Sequence, residues 1–60
     1  MNTKELVGIL IARGMKQHKI ASLVGCSQVA ISLWANGKRE ARVKYYEKLK
    51  ELVAKVENEG

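Results

Sequence analysis

Proline and phenylalanine are absent from this chain, and cysteine occurs once, as Cys26. Each scarcity excludes something. Without proline, glycine is left as the main breaker of helices. One thiol cannot close an intramolecular disulfide, and it fits a reducing compartment. His18 is the single histidine, so no Cys/His cluster has the ligands of a structural zinc site; neither a metal nor a cofactor is expected. No apolar run approaches the roughly 20 residues of a membrane span. The opening MNTKEL lacks the segments of a secretory leader, so a cytoplasmic protein is expected. Sixty residues make one domain, and a chain of this size buries only about 60% of its unfolded surface.

Acidic residues are also scarce where it matters. The chain carries 11 Lys+Arg against 6 Asp+Glu, a formal charge of +5. Arg13, Lys16, Lys19, Lys38, Arg39, Arg42, Lys44, Lys48 and Lys50 meet only Glu40 and Glu47 over their span. The last ten residues reverse the balance, with Lys55 against Glu51, Glu57 and Glu59. A positive field in mid-chain favours a polyanion, either nucleic acid or an acidic membrane surface. The same charge also fits a solvated surface, and charge by itself does not choose.

The three aromatics and the scattered β-branched residues form no alternating run, and the spacing predicts an all-α, compact helical bundle of about four helices. Asn2 caps a first helix from Thr3, with Glu5 at capping-box spacing; Leu6, Val7, Ile9, Leu10 and Ile11 form its apolar face and Gly14 ends it. Gly8 within it costs about 1 kcal/mol relative to Ala unless it permits a close helix contact. A second helix runs from about Gln17 to Val24, with Ile20, Ala21, Leu23 and Val24 apolar and Gly25 stopping it. Ser27 caps a third, Gln28 to about Ala35, with Ala30, Ile31 and Trp34 inward. From Arg39 to Glu57 nothing breaks the chain, and Tyr45/Tyr46, Leu49, Leu52/Val53 and Val56 recur as in one long amphipathic helix over about 40–57. Glu40→Lys44 and Glu51→Lys55 are favourable i,i+4 pairs, offset by Lys44/Lys48 and Glu47/Glu51.

Two short helices joined by a glycine turn make a helix-turn-helix, here over about 17–35. Ala21 is small where the helices cross, Gly25 turns with positive φ, and Ile31 and Trp34 seat the second helix on the domain body. "QHKIASLVGCSQVAISLWANGK", residues 17–38, resembles the lambda-repressor-like group of phage Cro and repressor proteins and their bacterial relatives, whose members read like Q-x-x-x-A-x-x-x-G-V-S-x-x-x-I-S-x-W-x-x-G-K. The match is strong over 17–38, general in the preceding helix, and weak over 39–60. Two departures stand out. Lys16 occupies a position where relatives often place Ser, Thr or Asn as a cap, and its charge opposes the helix dipole; a phosphate beside it relieves both problems. Leu10 and Ala35 replace an Arg–Glu pair, a change that is neutral or stabilising in other proteins.

The resemblance implies that the third helix lies in the DNA major groove. Its outward residues are Ser27, Gln28, Val29, Ser32 and Leu33. Gln28, Val29, Ser32 and Leu33 are then the base contacts: Gln28 matches adenine N6 and N7, and Val29 and Leu33 pack on thymine methyls. Lys16, Gln17, Ser27, Asn36, Lys38, Arg39 and Arg42 are the phosphate contacts, with Lys44 a possible extension. Related proteins usually bind paired half-sites, so a homodimer is expected, with Leu52, Val53 and Val56 wholly or partly in its contact, whether formed in free solution or only on DNA. The function implied is a transcriptional regulator in a bacterial or phage-infected cell, a Cro-like phage or prophage repressor on a pseudo-palindromic double-stranded operator.

Other readings stand beside this one. Trp34 could stack single-stranded bases, although inward neighbours favour the core. Cys26 fits an inert thiol, and His18 a solvated or phosphate-facing ring. Tyr45 and Tyr46 cannot both face the core, so one belongs at an interface or against the backbone. The C-terminal stripe could instead bind another protein, as in an antitoxin-like module. A membrane-surface helix over 40–57 is disfavoured by its mixed charges. An enzyme is not expected, since no nucleophile, base and acid converge, nor, at this length, is an added sensor or cleavage domain or a small-molecule effector.

Overall fold

The computed structural model describes residues 1–59. Four α-helices, α1 (Thr3–Ala12), α2 (Gln17–Val24), α3 (Gln28–Ala35) and α4 (Val43–Glu59), make up the fold, an all-α bundle with no strand among the described residues. Local chemistry sets most of their ends. Asn2 and Glu5 form a reciprocal capping box: Asn2 Oδ1 accepts from the Glu5 N–H at 2.8 Å, and Glu5 Oε1 accepts from the Asn2 N–H at 3.2 Å. This satisfies two donors that a helix start otherwise leaves unpaired. At the other end of α1 the Met15 N–H donates to the Leu10 carbonyl at 3.1 Å across Gly14, which has φ +92°, a left-handed helix termination.

The core draws on every helix. Leu6, Val7 and Leu10 of α1, Ile20, Ala21 and Val24 of α2, Ile31 and Trp34 of α3, and Leu49 and Val53 of α4 are buried. α1 packs on both α3 and α4, and α2 packs on α3. Leu10 is wholly buried and Ala35 half-buried. The apolar faces are narrower than the sequence suggests. Leu23 is 44% and Ile11 39% exposed, because eight- and ten-residue helices offer each neighbour little more than one row of side chains.

The largest departure from the sequence reading lies before α4. The helix begins at Val43, not near residue 40, and continues to Glu59. Residues 36–42 form a connecting loop. The Ala41 N–H donates to Thr3 Oγ1 at 3.2 Å, and the first helical bond of α4 runs from the Tyr46 N–H to the Arg42 carbonyl at 2.8 Å. The chain spends these residues turning from α3 to lie along α1, a demand that helix propensity does not report. Glu40 therefore lies outside the helix and forms no i,i+4 helical pair with Lys44.

α1 and α4 lie side by side in the same direction. At one end the Tyr46 hydroxyl donates to the Met1 carbonyl. At the other, Arg13 Nη1 donates to the Val56 carbonyl at 3.2 Å, placing a cation on the last turn of α4, where carbonyls lack helical partners and the dipole is negative. Both tyrosines are half-buried. Tyr45 packs on Trp34 with centroids 5.7 Å apart and planes at 44°, while Tyr46 reaches the backbone. Val53 is only 5% exposed, so this residue of the expected dimer contact belongs chiefly to the chain's own core; Leu52 and Val56 are half-buried at its edge.

Two stability effects follow. Gly8 is exposed and a Cβ there meets no atom within 4 Å, so it serves no close helix contact. Gly8→Ala is expected to stabilise the fold by about 0.5–1 kcal/mol, read as a higher urea midpoint at unchanged m-value. Thr3→Val keeps the shape of a fully buried residue but leaves the Ala41 N–H unpaired. A loss of about 1–3 kcal/mol is expected, and unchanged unfolding would show that water serves that donor equally well.

Candidate nucleic-acid interface

The interface is built on α2, its turn and α3. α2 ends in Gly25 at φ +85° and ψ 35°, and the Cys26 N–H closes the turn on the Ala21 carbonyl at 3.0 Å. Ala21 and Val24 are 5% exposed, which brings the C-terminal half of α2 close onto the body of the domain. Ser27 then starts α3, its Oγ accepting from the Ala30 N–H at 3.1 Å. Ile31, wholly buried, and Trp34, 3% exposed, hold the helix down on one side. Trp34 is thus a core residue and offers no face for base stacking; its indole Nε1 has no hydrogen-bond acceptor.

With Ile31 and Trp34 inward, the opposite side of α3 is free. Gln28 is exposed and Val29 is 69% exposed, whereas Ser32 and Leu33 are half-buried. The two apolar residues are therefore not equivalent: Val29 presents nearly its whole side chain to solvent and Leu33 only part. An aliphatic side chain this exposed at the start of a capped helix contributes nothing to the core.

Donors and cations precede and follow the motif in the chain. On one side, α2 starts at Gln17 after Lys16, which makes no side-chain cap bond. The Lys16 carbonyl accepts from the Lys19 and Ile20 N–H groups, both at 3.0 Å, and no capping side chain serves the earlier amides of α2. Lys16, Gln17, His18 and Gln28 line one open cleft of about 450 Å³ with Ile11, Gly14 and Met15. A residue expected to read bases and two expected to hold phosphate thus share one concavity. On the other side, Asn36 follows α3 and its Nδ2 donates to the Ser32 carbonyl at 2.9 Å, with its second hydrogen left over. Lys38, Arg39 and Arg42 are exposed on the 36–42 loop. Lys44 leans over the Tyr45 ring, its Nζ 5.2 Å from the centroid.

The remaining reactive groups are quiet. Cys26 is half-buried in the turn and burial raises its pKa, which keeps the thiol protonated and a poor nucleophile. His18 is exposed, and no cluster of three His, Cys, Asp or Glu residues occurs among those described. No helix among them is long and apolar enough to cross a membrane. Sequence reasoning missed Thr3 and Arg13 as structural anchors, because each bonds to a segment about forty residues away and carries no local signal.

A small-residue crossing, a left-handed glycine turn and a capped helix with one buried and one free face define a helix-turn-helix domain. A family model described as helix-turn-helix matches residues 9–52, from within α1 to within α4. The chain belongs to this lambda-repressor-like helix-turn-helix family, which implies DNA binding and is typically non-enzymatic. No curated protein and no solved structure matches the chain.

The presentation of α3 depends on the left-handed turn at Gly25. A Cβ there meets no atom within 4 Å, so Gly25→Ala tests the backbone dihedral alone. It is expected to cost about 1–2 kcal/mol, measured by thermal unfolding of the free protein.

Proposed function

We propose that the protein is a sequence-specific transcriptional repressor of the Cro type, of phage or prophage origin, that binds a pseudo-palindromic operator as a dimer with α3 in the major groove. The carrying observation is the free face of α3: Gln28 and Val29 are exposed, Gln28 shares a cleft with the phosphate-binding candidates Lys16 and Gln17, and the candidates Asn36, Lys38, Arg39 and Arg42 follow the C-terminal end of the helix, all exposed. Gln28 has the donors and acceptor for an adenine edge, and Val29 suits a thymine methyl. Ser32 and Leu33, lower on the same face, complete the base contacts. Ser27 keeps its Oγ on the Ala30 N–H and offers phosphate its own backbone amide at the start of α3.

Repression follows from occupying the operator, and the setting is the cytoplasm of a bacterial or phage-infected cell. No effector ligand is part of this reading. The dimer rests on Leu52 and Val56, with Val53 contributing little beyond the core. A surface this limited fits association that DNA completes, since two half-sites one turn apart bring the protomers together.

Selection of binding sites from random duplex DNA at two salt concentrations tests the reading. An inverted repeat with A·T pairs opposite Gln28 and Val29 is expected. Enrichment of no sequence at either salt would remove it and turn attention to a protein partner for α4, as in an antitoxin-like module. On the selected site, Lys38→Ala is expected to weaken binding to all sequences and flatten the salt slope by about one unit. Gln28→Ala is expected to relax preference, at about 1–3 kcal/mol on the best site. Identical behaviour of the two variants would contradict this division between positioning and reading.

A further inference from the structure

We infer that Lys4, at the start of α1, forms a DNA-phosphate site together with the α3–α4 loop. The inference rests on the DNA-binding reading above and adds a residue from outside the helix-turn-helix to the interface. Gly37 has φ +71°, and a Cβ built on it meets Lys4 Cδ at 3.2 Å, with Cε and Nζ each at 3.9 Å. The lysine stem thus lies across Gly37, and its ammonium sits over the loop between Asn36 and Lys38. Lys38, Arg39 and Arg42 on that loop are exposed.

The placement is anchored on either side of Lys4. Thr3 is wholly buried and holds the same loop through the Ala41 N–H at 3.2 Å. Glu5, the adjacent acid, has Oε1 on the Asn2 N–H at 3.2 Å, which draws its carboxylate to the cap. The first turn of α1 is therefore tied to the loop after α3, and Lys4 adds its charge to the lysine and arginines there. Three cations on one short loop and Lys4 over it, against the single acid Glu40 of that loop, favour a phosphodiester over a neutral partner, and a lysine supplies it with a point charge and rotatable donors. Nothing in the spacing of the helix-turn-helix points to residue 4.

Binding to a random-sequence duplex and to the selected operator is measured over a salt series for wild type, Lys4→Gln, Lys4→Arg and Lys38→Ala. Glutamine keeps most of the stem on Gly37 and removes the charge; arginine restores it. Loss of one phosphate contact lowers the slope of log K against log salt by about 0.9, so the wild-type advantage shrinks about threefold between roughly 50 and 200 mM. That change is expected for Lys4→Gln on both duplexes, with base preference unaltered and the slope recovered in Lys4→Arg. Thermal unfolding of free Lys4→Gln at the wild-type temperature separates a lost contact from a loosened loop. A wild-type slope in Lys4→Gln, beside a reduced one in Lys38→Ala, overturns this inference and leaves the DNA-binding reading intact. Absence of salt-dependent binding by the wild type overturns both.

Discussion

The seating of Ile31 and Trp34 in the core decides what the rest of the molecule can do. α3 spans eight residues and is too short to persist by itself in water. Its stability comes from those two side chains and from their neighbours on α1, α2 and α4. Burying them also fixes the rotation of the helix, and rotation determines that Gln28 and Val29 point out. The indole Nε1 goes without a partner, a penalty that the large apolar surface of the ring outweighs. Tyr45 completes the lid over the ring from α4, so the free face of α3 is braced by a helix that does not belong to the motif.

A second constraint is how the short helices stop. No proline is available, and α1, α2 and α3 are each followed by a glycine with positive φ, Gly14, Gly25 and Gly37. In each case an N–H reaches back five residues to a helical carbonyl: Met15 to Leu10, Cys26 to Ala21 and Lys38 to Leu33. The repeated termination lets a 60-residue chain fold back on itself while pairing a carbonyl in the last turn of each short helix. Where no such device is present, before α4, the chain uses a tertiary bond from Thr3 instead.

Charge follows the same geometry. The cations of the 36–42 loop stay exposed after the end of α3 and the donors at the start of α2 share a cleft with Gln28, while Arg13 is drawn to the far end of α4, where it meets the Val56 carbonyl. Mid-chain basicity therefore divides by place: some of it stays exposed on the loop after α3 and some stabilises a helix terminus. The total of +5 reports none of this partition.

Local and periodic signals determined much of the protein without reference to its fold. The capping box at Asn2 and Glu5, the stops at Gly14 and Gly25, the cap at Ser27 and the inward pair Ile31 and Trp34 depend on neighbours within about five residues, so they are legible in the chain, and the helix-turn-helix with them. The exposed Gln28 and Val29 follow from the same rotation. Other features were decided only when distant segments met. The delayed start of α4 depends on Thr3, the depth of Leu33, Ile11 and Leu23 depends on which neighbour covers each, and the burial of Val53 depends on how closely α4 lies along α1. Lys4 reaches Gly37 across thirty-three positions of chain. Periodicity shows which face of a helix is apolar, because side-chain direction repeats with the helical turn. It does not show how much of that face is covered, or by what, because coverage is a property of the packed neighbours and exists only in the tertiary structure.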